Sequence, residues 1–234
     1  MSRVLMRAVA WVVLGAAAGL AAAPAAFAHS PEELADAYVE REAYFEARDE
    51  PAPAFALRDA EGWAVALADF RGTMVVLHFI YASCPDVCPL HADRIADMQA
   101  MVNATPMLDR VQFVSITTDP TADTPEVMRR YGPAHGLDPA NWMFLTTAAD
   151  QPEDATRALA LAFGHRFEET PDGLQMHGVV THVIDRTGRW RGNFHGLKFA
   201  PVNLVTFVNA LTNDFDQSHE HADDSWWDQF WDLF

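Results

Sequence analysis

Residues 74–80 read Met-Val-Val-Leu-His-Phe-Ile, and this unbroken apolar run restricts the possible folds more than any other feature of the chain. A strand with one wet face alternates apolar and polar residues, whereas a run such as this fits a strand covered on both faces of a sheet. Covering both faces takes helices, and the rest of the chain supplies them. Residues 90–102 place apolar side chains at helical spacing, and residues 111–116 read as a second buried strand. Thr124-Pro125-Glu126 opens a helix to about Tyr131, residues 142–145 suit a short strand, and residues 152–163 suit another helix. Residues 179–184 form a third strong strand, paired with residues 189–194 across the turn at Thr187-Gly188. A last helix is expected over residues 202–211.

Strands alternating with helices predict an α/β fold, a central mixed sheet with helices on both faces. The order strand, helix, strand, helix, hairpin, closing helix is that of thioredoxin-like domains. Upstream, Ser30-Pro31-Glu32-Glu33 carries the cap, proline and acid of a helix start. That helix is expected to run to about Arg48, and Pro51 and Pro53 then mark the domain boundary. Short apolar pairs around Gly62 suit a hairpin over residues 55–67.

The first residues read as a targeting segment. Arg3 and Arg7 precede an uncharged stretch over residues 8–28, which ends in Ala26-Phe27-Ala28, the small-x-small form of a cleavage site. Uncleaved, the same stretch has the length of a membrane anchor. Either way the chain is expected to be exported to the periplasm, free or tethered to the inner membrane. We therefore divide the sequence into a signal peptide or anchor (1–28), a charged helical linker (29–50), a thioredoxin-like domain (51–213) and an acidic aromatic tail (214–234).

The chain has 16 basic and 33 acidic residues, a formal charge of −17. Without Arg3 and Arg7 the exported part has 14 basic against 33 acidic residues, or −19. Such a charge repels nucleic acid and a bare anionic membrane. In the tail, Trp226, Trp227, Phe230, Trp231 and Phe234 fall on one helical face among seven acids. That pattern suits docking to a partner groove or a membrane interface, or folding back on the domain itself. His219 and His221 lie among the acids and suit a second, weaker metal site.

Chemistry concentrates on Cys84 and Cys88, the two cysteines of the chain. A disulfide between them closes so short a loop that it stabilises little, so redox or metal chemistry explains the pair better. They follow the first buried strand, where open α/β sheets keep their sites. In a helix the two positions are one turn apart on one face, and a helix N-terminus favours thiolate. Two such sulfurs can exchange disulfides, or they can bind a soft metal such as Cu(I) or Zn. Three residues separate them, where thioredoxin-type redox motifs have two.

The run Phe79-Ile80-Tyr81-Ala82-Ser83-Cys84-Pro85-Asp86-Val87-Cys88-Pro89 closely resembles the Sco/SenC copper chaperones. The resemblance spans roughly residues 53–213. It includes Phe55, Leu57, Gly62, Asp69-Phe70 and Gly72, then Thr117-Thr118-Asp119-Pro120 with Asp123-Thr124-Pro125. It ends with His177 ahead of a strand closed by Asp185 and Gly188. What it implies is a thioredoxin-like fold with one copper ion, Cu(I) or Cu(II), held by Cys84, Cys88 and His177. It further implies a role in assembling the binuclear copper centre of cytochrome c oxidase, by copper delivery or by thiol reduction. The partner is then the copper-bearing subunit of the oxidase or another periplasmic copper protein. A protein of this kind is not a turnover enzyme. The competing reading is a thiol–disulfide oxidoreductase or peroxidase-like enzyme of the same fold, with Cys84 and Cys88 as its redox pair, which has no use for His177.

The remaining candidates are read as structural. His182 stands where the family usually has an aromatic. On one strand with His177 its odd spacing would send it to the opposite face. His78 reads as a core histidine, His91 as a solvated helix residue three positions after Cys88, Met176 as packing and Asp119 as the cap of a turn.

Overall fold

The computed structural model describes residues 30–82, 87–170 and 173–213. A six-stranded sheet forms its centre. In chain order the elements are α1 (Pro31–Arg41), β1 (Phe45–Pro51), β2 (Ala56–Arg58), β3 (Ala64–Ala66), β4 (Met74–Ile80) and α2 (Val87–Asn103). There follow β5 (Val111–Thr117), α3 (Pro125–Ala134), β6 (Trp142–Leu145) and α4 (Ala155–Ala162). The rest are β7 (Arg166–Thr170), β8 (Gly173–His177), β9 (Val180–Ile184), β10 (Arg189–His195) and α5 (residues 201–213). The sheet runs β1-β10-β9-β4-β5-β6, while β2-β3 and β7-β8 form separate two-stranded ribbons. β4, β5 and β6 are parallel, and β9, β10 and β1 are added antiparallel. This is the mixed sheet the sequence predicts.

All seven residues of β4 are buried, and their alternation divides the core in two. Met74, Val76 and Ile80 join Ile95 and Met98 of α2, Met128 and Tyr131 of α3, and Phe207 of α5. Val75, Leu77 and Phe79 face the other way, onto Leu159 and Ala160 of α4, with Phe163, Leu57 and Phe70. Each large apolar side chain buried here contributes about 1.5–3 kcal/mol. Together these contacts fix β4 as the central strand.

The segment over 29–50 differs from the expected linker. Its helix starts as predicted, with a Ser30–Glu33 capping box, but it stops at Arg41. Glu42 is the reason: its buried carboxylate accepts from Ala200 N–H at 3.2 Å and from Asn203 Nδ2 at 2.7 Å. The chain is thereby tied to the start of α5 and leaves the helix axis. β1 then completes the sheet edge, with Phe45 in tilted and edge-on ring contact with Phe194 and Phe207 and Tyr38 packed on both Phe45 and Phe207. Residues 45–51 thus supply an edge strand of the central sheet.

Candidate metal centre

β4 delivers the chain to the cysteine loop in the middle of the sheet. Cys84 falls in 83–86, outside the described residues. Cys88 is the second residue of α2 and is buried against the core that holds Ile80, Ala92 and Tyr131. The Tyr131 hydroxyl donates to the Cys88 carbonyl at 3.4 Å. One turn further, His91 Nε2 lies 2.9 Å from Thr181 Oγ1, which ties α2 to β9.

The approach to the loop is held by Asp123, a residue the sequence reading quotes without a role. Ala82 N–H donates to both of its carboxylate oxygens at 3.1 Å, and the Thr117 hydroxyl donates to Oδ2 at 2.5 Å. Asp123 is 1% exposed, and burial pushes its carboxyl above the usual range against the pull of those two donors. Asp119, read as a cap, accepts Ala122 N–H at 3.3 Å.

Topology brings the other candidate to the same end of the sheet. β9 runs antiparallel to β4, with Val75 opposite Ile184 and His78 opposite Thr181, so β9 begins beside the end of β4. Cys84 follows Ile80 by four residues, and His177 precedes Val180 by three. His177 closes β8, its Cα opposite Arg166. Its side chain and that of Met176 lie outside the described part of the structure.

Two other histidines differ from expectation. His91 is not solvated: it is 2% exposed, and burial holds its imidazole down at about 3. The position three residues after Cys88 faces the sheet rather than the solvent. His182 is on β9 while His177 is on β8, so alternation along a single strand does not relate them. His182 is fully buried, its Nδ1 2.7 Å from Asn193 Oδ1 and its Nε2 2.9 Å from His165 Nε2. His78 is the core histidine predicted, with Nε2 3.1 Å from Ser115 Oγ. Burial depresses the basicity of His78 and His182 well below the ordinary imidazole value.

Among the described residues no group of three or more His, Cys, Asp or Glu is placed to hold a metal ion; two of the three predicted ligand side chains lie outside them. The described surroundings fit a soft ion. Cys88 would offer a sulfur donor, the Asp123 carboxylate is engaged by Ala82 and Thr117, and His91 and His182 are engaged by Thr181, Asn193 and His165. The Asp123 carboxylate, a hard oxygen donor, is thus engaged within the protein. The tail with His219 and His221, and the segment over 1–28, lie outside the described residues. Among the described residues no helix is long and apolar enough to cross a membrane.

A family model described as SCO1/SenC matches residues 46–212. The human mitochondrial "SCO2 homolog" is 42% identical over 136 residues, covering 57% of this chain and 50% of the relative. The chain thus spans about half the length of that curated relative. Among solved structures, BsSco, described as a member of the Sco family of cytochrome c oxidase assembly proteins with a disulfide switch, superposes with a TM-score of 0.62 at 20% identity. The match covers 72% of this chain and 96% of BsSco. Yeast Sco1 with copper bound superposes with a TM-score of 0.56 at 19% identity, covering 74% and 89% of the two chains. At these identities the structures support the fold.

Proposed function

The chain belongs to the SCO1/SenC family, and from that premise we propose that it is an exported copper-binding protein that serves the assembly of the copper centre of cytochrome c oxidase. One copper ion is held by Cys84, Cys88 and His177. The observation that carries this reading is the convergence of the two chain segments. The strand before Cys84 and the strand after His177 are hydrogen-bonded neighbours, and the helix bearing Cys88 is tied through His91 to the second of them. Two thiolates and one imidazole form a soft three-donor set suited to Cu(I) and usable by Cu(II). Copper-bound relatives of the same fold support the reading.

The protein's own contribution is to hold this end of the sheet. Asp123 restrains the loop before Cys84, and Tyr131 and His91 restrain the turn that carries Cys88. As a dithiol the pair can also reduce a disulfide on the client subunit. In that step Cys84 and Cys88 form their own disulfide and pass two electrons and two protons to the client's sulfurs. Delivery and reduction make different demands on the same residues. Copper held with the aid of His177 serves delivery, whereas a dithiol alone serves reduction.

A competition titration of the reduced protein against a Cu(I) chelator tests the site. One ion should bind, and Cys84→Ala, Cys88→Ala and His177→Ala should each weaken binding greatly. X-ray absorption should show two sulfurs and one nitrogen. Unchanged affinity in His177→Ala would overturn the ligand set and leave a dithiol reductant. Mixing the copper-loaded protein with the apo copper subunit and following the metal then separates delivery from reduction.

A further inference from the structure

β7 and β8 form a ribbon that shares no hydrogen-bonded register with the six-stranded sheet among the described residues. It leaves the body after His165 and returns through Gly178 into β9. Gly178 has φ +85°, a left-handed conformation that L side chains rarely adopt, and it makes the sharp return from β8 to β9. The ribbon ends at its base with Arg166 opposite His177. The position of His177 therefore depends on how this base is held.

Among the described residues one side-chain hydrogen bond crosses the neck. His165, the residue before β7, and His182, in the strand after β8, meet Nε2 to Nε2 at 2.9 Å, closing the excursion over a separation of 17 residues. Both are buried, at 5% and 0% exposure, among Phe79, Phe163 and Trp190. The direction of the bond follows from its neighbours. Trp190 Nε1–H can only donate, and it donates to Asn193 Oδ1 at 2.8 Å. The Asn193 Nδ2 amide donates to the Glu46 carboxylate at 2.9 Å. Asn193 therefore presents Oδ1 to His182, and His182 Nδ1 at 2.7 Å must be the donor. A neutral imidazole with its proton on Nδ1 accepts at Nε2. The proton between the two histidines therefore belongs to His165 Nε2. His165 Nδ1 then carries a buried lone pair with no hydrogen-bond partner among the described residues.

An orphaned buried acceptor costs stability, and an apolar ring at position 165 would only move it, leaving His182 Nε2 without its donor. The polar pair is an expensive way to fill this space, but it gives a directional bond from β10 through β9 to the root of the ribbon. We propose that His165 and His182 form a clasp that positions His177 for the metal, His165 and His182 acting as positioning residues and not as ligands. The proposal rests on the assignment of His177 as a copper ligand.

The test is a double-substitution cycle on the full-length, reduced protein, reading Cu(I) affinity by competition with a chelator and thermal stability in the same samples. His165→Phe keeps ring volume and removes the donor. It should weaken copper binding about tenfold, the low end for groups that support a ligand from outside the coordination shell, and lower Tm to the extent that His182 Nε2 is left without a donor. His165→Gln, whose amide can still donate to His182 Nε2, should recover most of the affinity. Combined with His177→Ala, His165→Phe should add nothing further, because its effect passes through His177. Should His165→Phe fail to fold, His182→Phe cuts the same bond from the other side and carries the same expectation. If His177→Ala weakens binding and the clasp variants do not, or if their effects add to it, the clasp is refuted while the ligand assignment stands. If His177→Ala itself leaves affinity unchanged, the ligand assignment fails, and the clasp reading fails with it.

Discussion

Acidification from pH 7.5 to 5.0 should cost the folded protein about 4 kcal/mol through His91 and His165 alone. Burial is the main cause of the depressed basicity at both, which leaves His91 at about 3 and His165 at about 4. An unfolded histidine titrates near 6.5. Between the folded and unfolded values the unfolded chain binds the extra proton, so stability is fully present above about pH 6.5 and falls as the pH drops below it. Each such group loses about 1.4 kcal/mol per pH unit in that window, or about 2 kcal/mol by pH 5.0. His78 and His182, buried completely and depressed in the same direction, add to the loss. Asp123 works against it, since its raised carboxyl favours the folded state as the pH falls. The lowered carboxyls of Glu46 and Asp49 begin to cost stability only in the carboxylate range, at the acid edge of this window or below it. Typical domains have about 5–15 kcal/mol in total, so the loss is large. Urea unfolding followed by far-ultraviolet circular dichroism, at half-unit pH intervals without metal, gives the unfolding free energy directly. His165→Phe should flatten the slope by about 1.4 kcal/mol per pH unit between pH 6 and 5. An unfolding free energy that stays level from pH 7.5 to 5.0, or a slope untouched by that substitution, would refute the argument that these imidazoles are buried neutral.

Asp123→Ala removes the acceptor of Ala82 N–H and the partner of Thr117 Oγ1; it should destabilise the protein by roughly 1–3 kcal/mol and speed hydrogen exchange at the Ala82 amide, with Asp123→Asn recovering part of both. Gly132→Ala would place a Cβ 2.3 Å from the Trp142 ring; the resulting overpacking should lower stability by about 1–3 kcal/mol, measured by thermal melting. Oxidation of Cys84 and Cys88 to a disulfide removes both thiolates, so it should expel copper in a dialysis assay; retention at full affinity would count against a thiolate site.

The sequence carried the fold well where burial imposes a period. The apolar runs at 74–80 and 111–116 became the paired central strands β4 and β5, and the spacing of 90–102 became the body of α2. It was less legible where polar residues serve the interior. Phe45–Pro51 reads Phe-Glu-Ala-Arg-Asp-Glu-Pro, and its charge suggested a solvated helix. As an edge strand it buries Phe45 and leaves its later residues toward solvent, with Asp49 meeting Arg189 and Arg191. β7 and β8 were missed because Arg-Phe-Glu-Glu-Thr and Gly-Leu-Gln-Met-His offer too little apolar alternation to mark a strand. The role of Asp123 could not be read from spacing, because its partner Ala82 is 41 residues away.

The sequence by itself determined where soft sulfur donors lie, since the two cysteines of the chain are four positions apart; His177 joined them only through the resemblance to the Sco/SenC family. The sequence also determined that the cysteines follow a buried central strand, because hydrophobic periodicity is local and each residue reports on its own environment. Tertiary structure alone decided which histidines are withheld from that chemistry. On paper His91 reads as a solvated helix residue and His182 as a residue set apart from His177 by its odd spacing. They are withdrawn by Thr181 and by the bonds from His165 to Asn193, contacts between strands and helices that the chain places far apart in sequence. The hydrogen bonds that engage a buried imidazole depend on which strands lie side by side. That is set by the packing of the whole sheet, and it leaves no trace in the sequence around the imidazole.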